Sequence, residues 1–301
     1  MKIIALIIVL LNFSTAFADS NTLARKDSKQ PQTVEFQKQI SFKGWDYLVG
    51  KLLADGVEES QIKELYLDPR MPSVGTVYFQ LKPRETKSMY AGFKNKTLLK
   101  RATDFITANR RTFESAERIY KVNRFVIASI MLVESHFGSN TGNHLILNRL
   151  SRVGSIARPE NVAANYKQHI RTNPKVKYSE VEDRARYLED SFYPEVLALI
   201  KISKKHNKDL LELRGSTAGA FGIPQFLPST FLNYAVDGRG NGVISLYDEV
   251  DAIFSTANYL MHSGWKDNAS REEKEAVIWK YNRSQPYVET ILSIADELKK
   301  N

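Results

Sequence analysis

One carboxylate stands at the end of a segment that is otherwise almost wholly apolar. Residues 125–133 read FVIASIMLV, Glu134 follows, and Gly138 stops the pattern. Because this segment lacks a polar face, it is predicted to be a helix buried on all sides. Burial and the negative end of the helix dipole would both raise the pKa of Glu134. Glu134 is therefore a candidate general acid for protonating the leaving oxygen of a glycosidic bond, the alternative being a helix-end glutamate that points into solvent.

A glycine-rich stretch, residues 215–231, is the second place where side chains could meet a ligand. Its three glycines at spacings of four and three, with small residues between them, permit close backbone approach to a sugar or to another helix. Ser216 and Gln225 are the side chains here that can bond hydroxyl and N-acetyl groups. Tight packing against the central helix would explain the glycines equally well, but it explains Gln225 less well.

Aromatic and amide side chains gather near the end of the chain, where one predicted helix closes and another begins. Tyr281, Asn282 and Tyr287 fall around that junction, and Ser284 is the expected N-cap of the second helix. Aromatic rings stack on the C–H faces of sugars, and amides read their hydroxyls. A sugar-binding cluster is one interpretation, and ordinary buried tyrosines are the other. Tyr259, on an earlier helix, faces away from that helix's apolar positions.

Residues 237–248 follow the pattern of a calcium-binding loop at several places. Oxygen-bearing side chains stand first, fifth and twelfth, with glycine sixth and isoleucine eighth. Arg239 stands third, where a guanidinium replaces a ligand and adds positive charge. The alternative is a glycine-rich turn whose Asp248 caps the next helix, with Asp251 completing a capping box. If a structural Ca²⁺ is bound, its ligands come from this set: Asp237, Asn241, Asp248 and Asp251.

The elements that must position these residues are mainly helical. Helical spacing marks residues 45–53, 59–66, 98–121, 188–204 and 250–261. Residues 74–81 form the best strand candidate, ended by Pro83. The polar stretch 158–177, with Pro159 and Pro174, is expected to cross the cleft or the surface without regular structure.

Composition and the N-terminus indicate a compartment. Residues 1–18 read as a secretory signal peptide and 19–41 as a flexible lead-in, and we expect a periplasmic protein after cleavage. No later run is apolar enough to span a membrane, and the absence of cysteine excludes disulfides and a lipidated N-terminal cysteine. The net charge of +9 suits an anionic polymer, yet there is no nucleic-acid motif or basic arm.

Several linked motifs resemble the lytic murein transglycosylases of the B type, in order from about residue 112 to the end. They are residues 133–138 (VESHFG), 215–229 (GSTAGAFGIPQFLPS), 235–237 (AVD), 250–253 (VDAI), 257–260 (ANYL) and 264–265 (GW). The resemblance implies a mainly α, lysozyme-like (goose-type) catalytic domain over 112–301. Before it we place an N-terminal, mostly helical extension over 42–111. The EF-hand-like loop of the family aligns with residues 237–251, where Arg239 is the departure.

The resemblance also implies an activity. Family members cleave the β-1,4 bond between N-acetylmuramic acid and N-acetylglucosamine in peptidoglycan, and Glu134 matches their single catalytic glutamate. No cofactor is required, and glycan strands are the expected partner of a monomer. Hydrolysis on the same fold and catalytically silent binding of peptidoglycan remain the alternatives. The residues that stand where relatives line the sugar subsites are Ser216, Gln225, Tyr259, Tyr281, Asn282 and Tyr287.

Overall fold

The computed structural model describes residues 41–300, and the predicted signal peptide and nearly all of the lead-in lie outside them. The first half of these residues contains α1 (Asp46–Ala54), α2 (Glu59–Tyr66), α3 (Lys87–Tyr90) with a 3₁₀ turn (Ala91–Lys94), α4 (Lys96–Ala108), α5 (Arg110–Tyr120), α6 (Arg124–Ser135) and α7 (Ile146–Val153). The second half contains α8 (Pro159–Thr172), α9 (Tyr178–His206), α10 (Pro228–Tyr234), α11 (Glu249–His262), α12 (Arg271–Tyr281) and α13 (Gln285–Lys300). The strands β1 (His144–Leu145) and β2 (Arg214–Gly215) form a two-stranded antiparallel sheet with His144 opposite Gly215. The prediction of a mainly α protein is confirmed.

Helix α6 is the central element, and its burial follows from its sequence. It packs against α13, α4, α5 and α11, so that apolar side chains on every face are covered. The Asn123 side chain caps its start by accepting the amide proton of Val126 at 3.1 Å. The left-handed residue His136 ends it. The predicted helix buried on all sides is therefore present.

The expected strand over residues 74–81 was wrong. The segment is extended, but it pairs with no other strand among residues 41–300. Its backbone forms hydrogen bonds with side chains instead. The amide of Val77 donates to an Oδ1 at 2.8 Å, and the amide of Phe79 donates to a second Oδ1 at 3.1 Å. The carbonyl of Phe79 meets a ring nitrogen at 3.0 Å. These side chains lie one turn apart on one face of α8: Asn161, Asn165 and His169.

The irregular excursion expected over residues 158–177 was also wrong. Most of it forms α8, which begins with Pro159 in the first turn, where a missing amide proton costs nothing. The buried side chains of Asn161 and Asn165 in α8 form hydrogen bonds with the extended segment 74–81. Polarity was therefore a poor guide here, because the partner of these side chains is a backbone rather than water.

The N-terminal helices belong to the same core as the rest. One continuous cluster of buried side chains runs from Trp45 to Leu298. The carboxylate of Glu189, on α9, accepts from the Tyr47 hydroxyl at 2.8 Å and pairs with Lys51 at 2.5 Å. The proposed boundary between residues 111 and 112 falls inside α5. Within residues 41–300, none of the helices combines the length and apolarity needed to cross a membrane.

Candidate active site

The last turn of α6 holds Glu134 in a fixed place. The neighbouring Ser135 donates from its hydroxyl to the carbonyl of Ile223 at 2.7 Å and accepts the amide proton of Gly138 at 2.9 Å. These bonds tie the end of α6 to the turn that follows β2. The Glu134 residue is only 7% exposed, so the solvent-facing alternative is excluded.

The hydroxyl of Tyr287, at the start of α13, reaches Glu134. It donates to Glu134 Oε1 at 2.7 Å, and Tyr287 itself is buried. Ser284 precedes α13 and its Oγ accepts the amide proton of Tyr287 at 3.4 Å, which fits the expected N-cap. Burial raises the pKa of Glu134 to about 8, the charge of Glu85 adds to the rise, and the Tyr287 hydrogen bond opposes it. Glu134 is thus a carboxylic acid that keeps its proton near neutral pH.

A cavity of about 650 Å³ opens beside this acid. Its walls come from α9, from the turn between β2 and α10, from α11 and from the end of α12. The predicted site residues that line it together with Glu134 are Gln225, Tyr259, Tyr281 and Asn282. Four of the six expected sugar-binding residues therefore share one cavity with the acid.

These four residues are held by contacts that leave part of their polar surface for a ligand. The Gln225 amide donates to the carbonyls of Thr141 at 3.1 Å and Gly222 at 2.8 Å. The Tyr281 hydroxyl donates to the carbonyl of Pro224 at 2.5 Å, and its ring meets that of Tyr259 edge-on at 4.9 Å between centroids. The buried Oδ1 of Asn282 has no hydrogen-bond partner within residues 41–300.

Ser216 and Tyr287 are placed differently from the other four, since neither lines the cavity. The Ser216 hydroxyl lies in the turn after β2, where it accepts the amide proton of Ala220 at 3.2 Å. The Tyr287 hydroxyl forms a hydrogen bond directly with Glu134.

The glycines of this turn serve packing. A Cβ on Gly219, whose φ is +88°, would lie 2.2 Å from Leu150 Cδ2. A Cβ on Gly222, at φ +75°, would lie 2.3 Å from Leu246 Cβ. Of the two interpretations, close approach to other parts of the chain is correct. The partners at these two positions are Leu150 of α7 and Leu246 rather than the central helix.

One wall of the cavity was missed by the sequence reasoning. Helix α9 contributes Tyr187, Asp190, Ser191, Pro194 and Glu195. Pro194 lies inside this 29-residue helix and has no amide proton for the carbonyl of Asp190, which is the signal that could have marked the place. The Glu195 carboxylate accepts from the amide of Ser229 at 2.8 Å and from its hydroxyl at 2.6 Å, and burial raises the pKa of Glu195.

The calcium-like loop is closed by its own donors. Asp237 accepts the amide protons of Gly240 at 2.8 Å and Gly242 at 2.6 Å. Arg239 Nη1 lies 3.2 Å from Asp248 Oδ2, and its Nε lies 3.8 Å from Asp251 Oδ1.

The remaining oxygens of the proposed ligand set are also bonded. Asp248 caps α11, as expected for the alternative interpretation, by accepting from Val250 at 2.9 Å. The Asn241 Oδ1 accepts the amide proton of Val243 at 3.0 Å. Asp251 accepts from Ser245 at 2.8 Å and Gly238 at 3.0 Å, so its carboxylate faces the loop instead of completing a capping box. These residues do not fit a calcium site, because a guanidinium already stands between two of the four oxygen donors.

A family model described as "Transglycosylase SLT domain" matches residues 43–274. The chain belongs to this family. The match covers Glu134, the loop with Arg239 and the cavity wall as far as Tyr259, and it reaches back through the N-terminal helices. Tyr281 and Asn282 lie beyond its end.

Similar proteins fit the same family. The chain is 34% identical over 150 residues to the membrane-bound lytic murein transglycosylase B of Escherichia coli, which is 50% of this chain and 34% of that protein. It therefore spans about a third of that relative's length. SltB3 from Pseudomonas aeruginosa in complex with NAG-anhNAM-pentapeptide has a TM-score of 0.63 at 19% identity, over 86% of this chain and 80% of that one. The resemblance to the B-type lytic transglycosylases is confirmed.

One of the solved structures similar to this chain is a calcium complex. The lytic transglycosylase Slt35 of Escherichia coli in complex with calcium has a TM-score of 0.56 at 20% identity, over 84% of this chain and 87% of that one. The fold is the lysozyme-like one that the sequence predicted. Within residues 41–300, however, no group of three or more acidic or histidine side chains is arranged to hold a metal ion.

Proposed function

We propose that this protein is a lytic transglycosylase that cleaves the β-1,4 bond between N-acetylmuramic acid and N-acetylglucosamine in peptidoglycan. The observation that carries the proposal is the buried carboxyl of Glu134, whose pKa is raised by burial, at the wall of a cavity of about 650 Å³. Membership of the transglycosylase family supports it, as does the relative whose complex contains NAG-anhNAM-pentapeptide.

The proposed reaction needs one carboxyl group in two successive roles. Glu134 donates its proton to the leaving glycosidic oxygen, and the carboxylate so formed takes the proton of the C6 hydroxyl of the muramic residue. The C6 oxygen then bonds to C1 and leaves a 1,6-anhydromuramic end, with no water consumed. An internal hydroxyl has an effective concentration far above that of an external nucleophile, roughly 10⁵–10⁸ M in favourable cases, so a second carboxylate is unnecessary.

Four residues of the cavity wall are proposed to contact the sugars. Tyr259 and Tyr281 offer ring surface, and Gln225 and Asn282 offer amides. The geometry supports other parts for the remaining two expected residues. Ser216 stabilises the turn that carries Gln225, and Tyr287 orients Glu134.

We place the enzyme in the periplasm, acting on glycan strands as a monomer. The predicted signal peptide supports this location, and the similar protein of Escherichia coli carries the description "membrane-bound".

Product mass tests the proposal. Purified cell walls digested by the wild type should release muropeptides one water lighter than the products of hydrolysis. Glu134→Gln should lower the release by roughly 10³-fold or more, since it removes both the acid and the base. Retained cleavage in this variant would overturn the proposed role of Glu134.

Hydrolysis on the same fold is the second candidate, because the cavity holds two further carboxyl groups. Asp190 is exposed at the cavity wall, whereas Glu195 is engaged by Ser229. A muramidase would use such a group to activate water. It would give products with reducing ends, and their formation would be lost in Asp190→Asn. Under the transglycosylase proposal the anhydro products persist in that variant.

Catalytically silent binding of peptidoglycan is tested by the same samples. That reading requires no cleavage even by the wild type, together with unchanged sedimentation with cell walls in Glu134→Gln.

A further inference from the structure

A short segment of the N-terminal extension lies close to the catalytic acid. Helix α3 and the 3₁₀ turn after it pack against α13, the helix that carries Tyr287. An ion pair between Lys87 and Glu289, 2.9 Å apart, adds to this contact at the surface. The segment therefore contacts the helix that carries Tyr287.

Tyr90 makes the direct contact with Tyr287. Its ring meets that of Tyr287 edge-on, with 6.1 Å between centroids and 77° between planes. Edge-on contact is a favourable geometry for aromatic rings, so the pair restrains both rings.

Glu85 holds Tyr90 in turn. The Tyr90 hydroxyl donates to Glu85 Oε2 at 2.6 Å. The other oxygen, Glu85 Oε1, is buried and has no hydrogen-bond partner in the part of the chain that the structure describes. Leaving a carboxylate oxygen in this condition is unfavourable, because its desolvation is not compensated. A role in folding alone does not explain that cost.

We propose that Glu85 is a positioning residue for Glu134. It fixes Tyr90, Tyr90 restrains the ring of Tyr287, and the Tyr287 hydroxyl orients the Glu134 carboxyl beside the cavity. The chain of contacts therefore runs from the N-terminal extension to the reacting group. This inference rests on the proposed function, in which Glu134 is the acid.

The charge of Glu85 acts in the same direction as its position. A second carboxylate disfavours ionisation of Glu134, and this repulsion contributes to the raised pKa of Glu134 after burial itself. The other groups around Glu134 are the phenols of Tyr90, Tyr281 and Tyr287, and Asp190, Glu195 and Lys280 along the cavity wall. Burial keeps the pKa of each of these three phenols above its ordinary value, so they remain neutral across the working range.

The test uses Glu85→Gln, which removes the charge but retains an oxygen that can accept from Tyr90. The basic limb of the pH–activity profile on purified peptidoglycan should move to lower pH. Turnover on the alkaline side should fall about 3- to 10-fold, corresponding to roughly half a unit to one unit in the pKa of Glu134, with little change on the acid side. The matched control is Glu289→Gln, which removes an equal charge from the same contact without touching Tyr90.

Tyr90→Phe tests the positioning step separately. It should lower kcat several-fold with KM little changed. Adding Glu85→Gln should lower kcat no further on the acid side, where only the positioning contact matters, but it should still move the basic limb to lower pH, because the charge of Glu85 acts on Glu134 without the hydroxyl. Profiles of Glu85→Gln and Tyr90→Phe that superimpose on the wild type would overturn the proposal, as would an equal shift in Glu289→Gln.

A direct titration separates this inference from the proposed function. The carboxyl carbon of Glu134, followed by ¹³C NMR in the intact protein, should titrate at lower pH in Glu85→Gln than in the wild type. This result is expected even if no cleavage is detected, in which case only the proposed activity fails. An unchanged titration, in a variant that still unfolds at the wild-type temperature, would refute the role of Glu85.

Discussion

Two buried carboxyl groups, one beside the cavity and one beneath the calcium-like loop, are treated in opposite ways. Glu134 receives a single hydrogen bond from the neutral hydroxyl of Tyr287, and no cation forms an ion pair with it in residues 41–300. Asp251 is fully buried, yet it receives backbone amide protons from three residues and lies next to the guanidinium of Arg239. Burial alone therefore does not select the acid. The two sites differ in the number and charge of their donors: Glu134 has one neutral donor, whereas Asp251 has several and lies beside a cation.

The comparison predicts a large loss of stability when the charge of Asp251 is removed. Asp251→Asn leaves a guanidinium and several amides without their anion, so we expect the free energy of unfolding to fall by about 3–5 kcal/mol. Urea unfolding measures this. Asp237→Asn, in the same loop but closer to solvent, is the control and should cost less. Equal losses in the two variants would contradict the distinction.

Replacing Glu134 should change the free energy of unfolding in the opposite direction. Its pKa of about 8 in the folded state lies above the ordinary value of 4.5, so the folded protein holds the proton more tightly and stability falls as pH rises from 4.5 to 8. Glu134→Gln removes that loss. After the cost of burying an amide, the gain at pH 7 should be about 1–3 kcal/mol, vanishing towards pH 4.5. Urea unfolding of the two proteins at both pH values checks this, and a variant less stable than the wild type at pH 7 would contradict it.

Tyr287→Phe sharpens the comparison by removing the only donor to Glu134 among the described residues. This hydrogen bond lowers the pKa of Glu134, so its loss should raise that pKa. The basic limb of the pH–activity profile should move up by about half a unit, while stability falls by about 1 kcal/mol. A shift towards lower pH would show that the hydroxyl does not stabilise the carboxylate. Tyr259→Phe, at the cavity wall, is the control for loss of a buried phenol.

The smallest effect is expected from calcium. Because Arg239 pairs with Asp248 and Asp251, adding millimolar calcium or a chelator should change the melting temperature of the wild type by less than about 1 °C. Arg239→Asn restores an oxygen donor at the third place and should make the melting temperature rise with calcium. A wild-type melting temperature that rises with calcium would show that the ion displaces the guanidinium of Arg239.

The parts of the fold that local sequence determines were predictable. The apolar run into Glu134, the cap at Asp248 and the start of α13 at Ser284 depend on neighbours within a few residues. Glu134 stood out because a lone carboxylate in an apolar helix is rare. Its family motifs then located four residues of the cavity wall.

The remaining features depend on partners far apart in the chain. Residues 74–81 have the alternation of a strand, but their partner is a helix face more than eighty residues later. Asp190 and Glu195 read as ordinary polar positions of a long helix until α9 is placed beside Glu134. Glu85 gave no local signal at all, because its importance arises only where Tyr90 meets Tyr287. Arg239 marked the departure from the calcium-loop pattern in the sequence, whereas the backbone amides that bond to Asp237 and Asp251 gave no such signal.

The extended segment on α8 has one further consequence. Asn161, Asn165 and His169 form hydrogen bonds with main-chain atoms of Val77 and Phe79. The side chains of Val77, Phe79 and Leu81 pack against a small apolar cluster, whereas Tyr78 points outwards, 62% exposed. The demand on side-chain identity therefore alternates along this stretch: positions 78 and 80 should accept most residues other than proline, and positions 77 and 79 should accept neither proline nor a polar side chain.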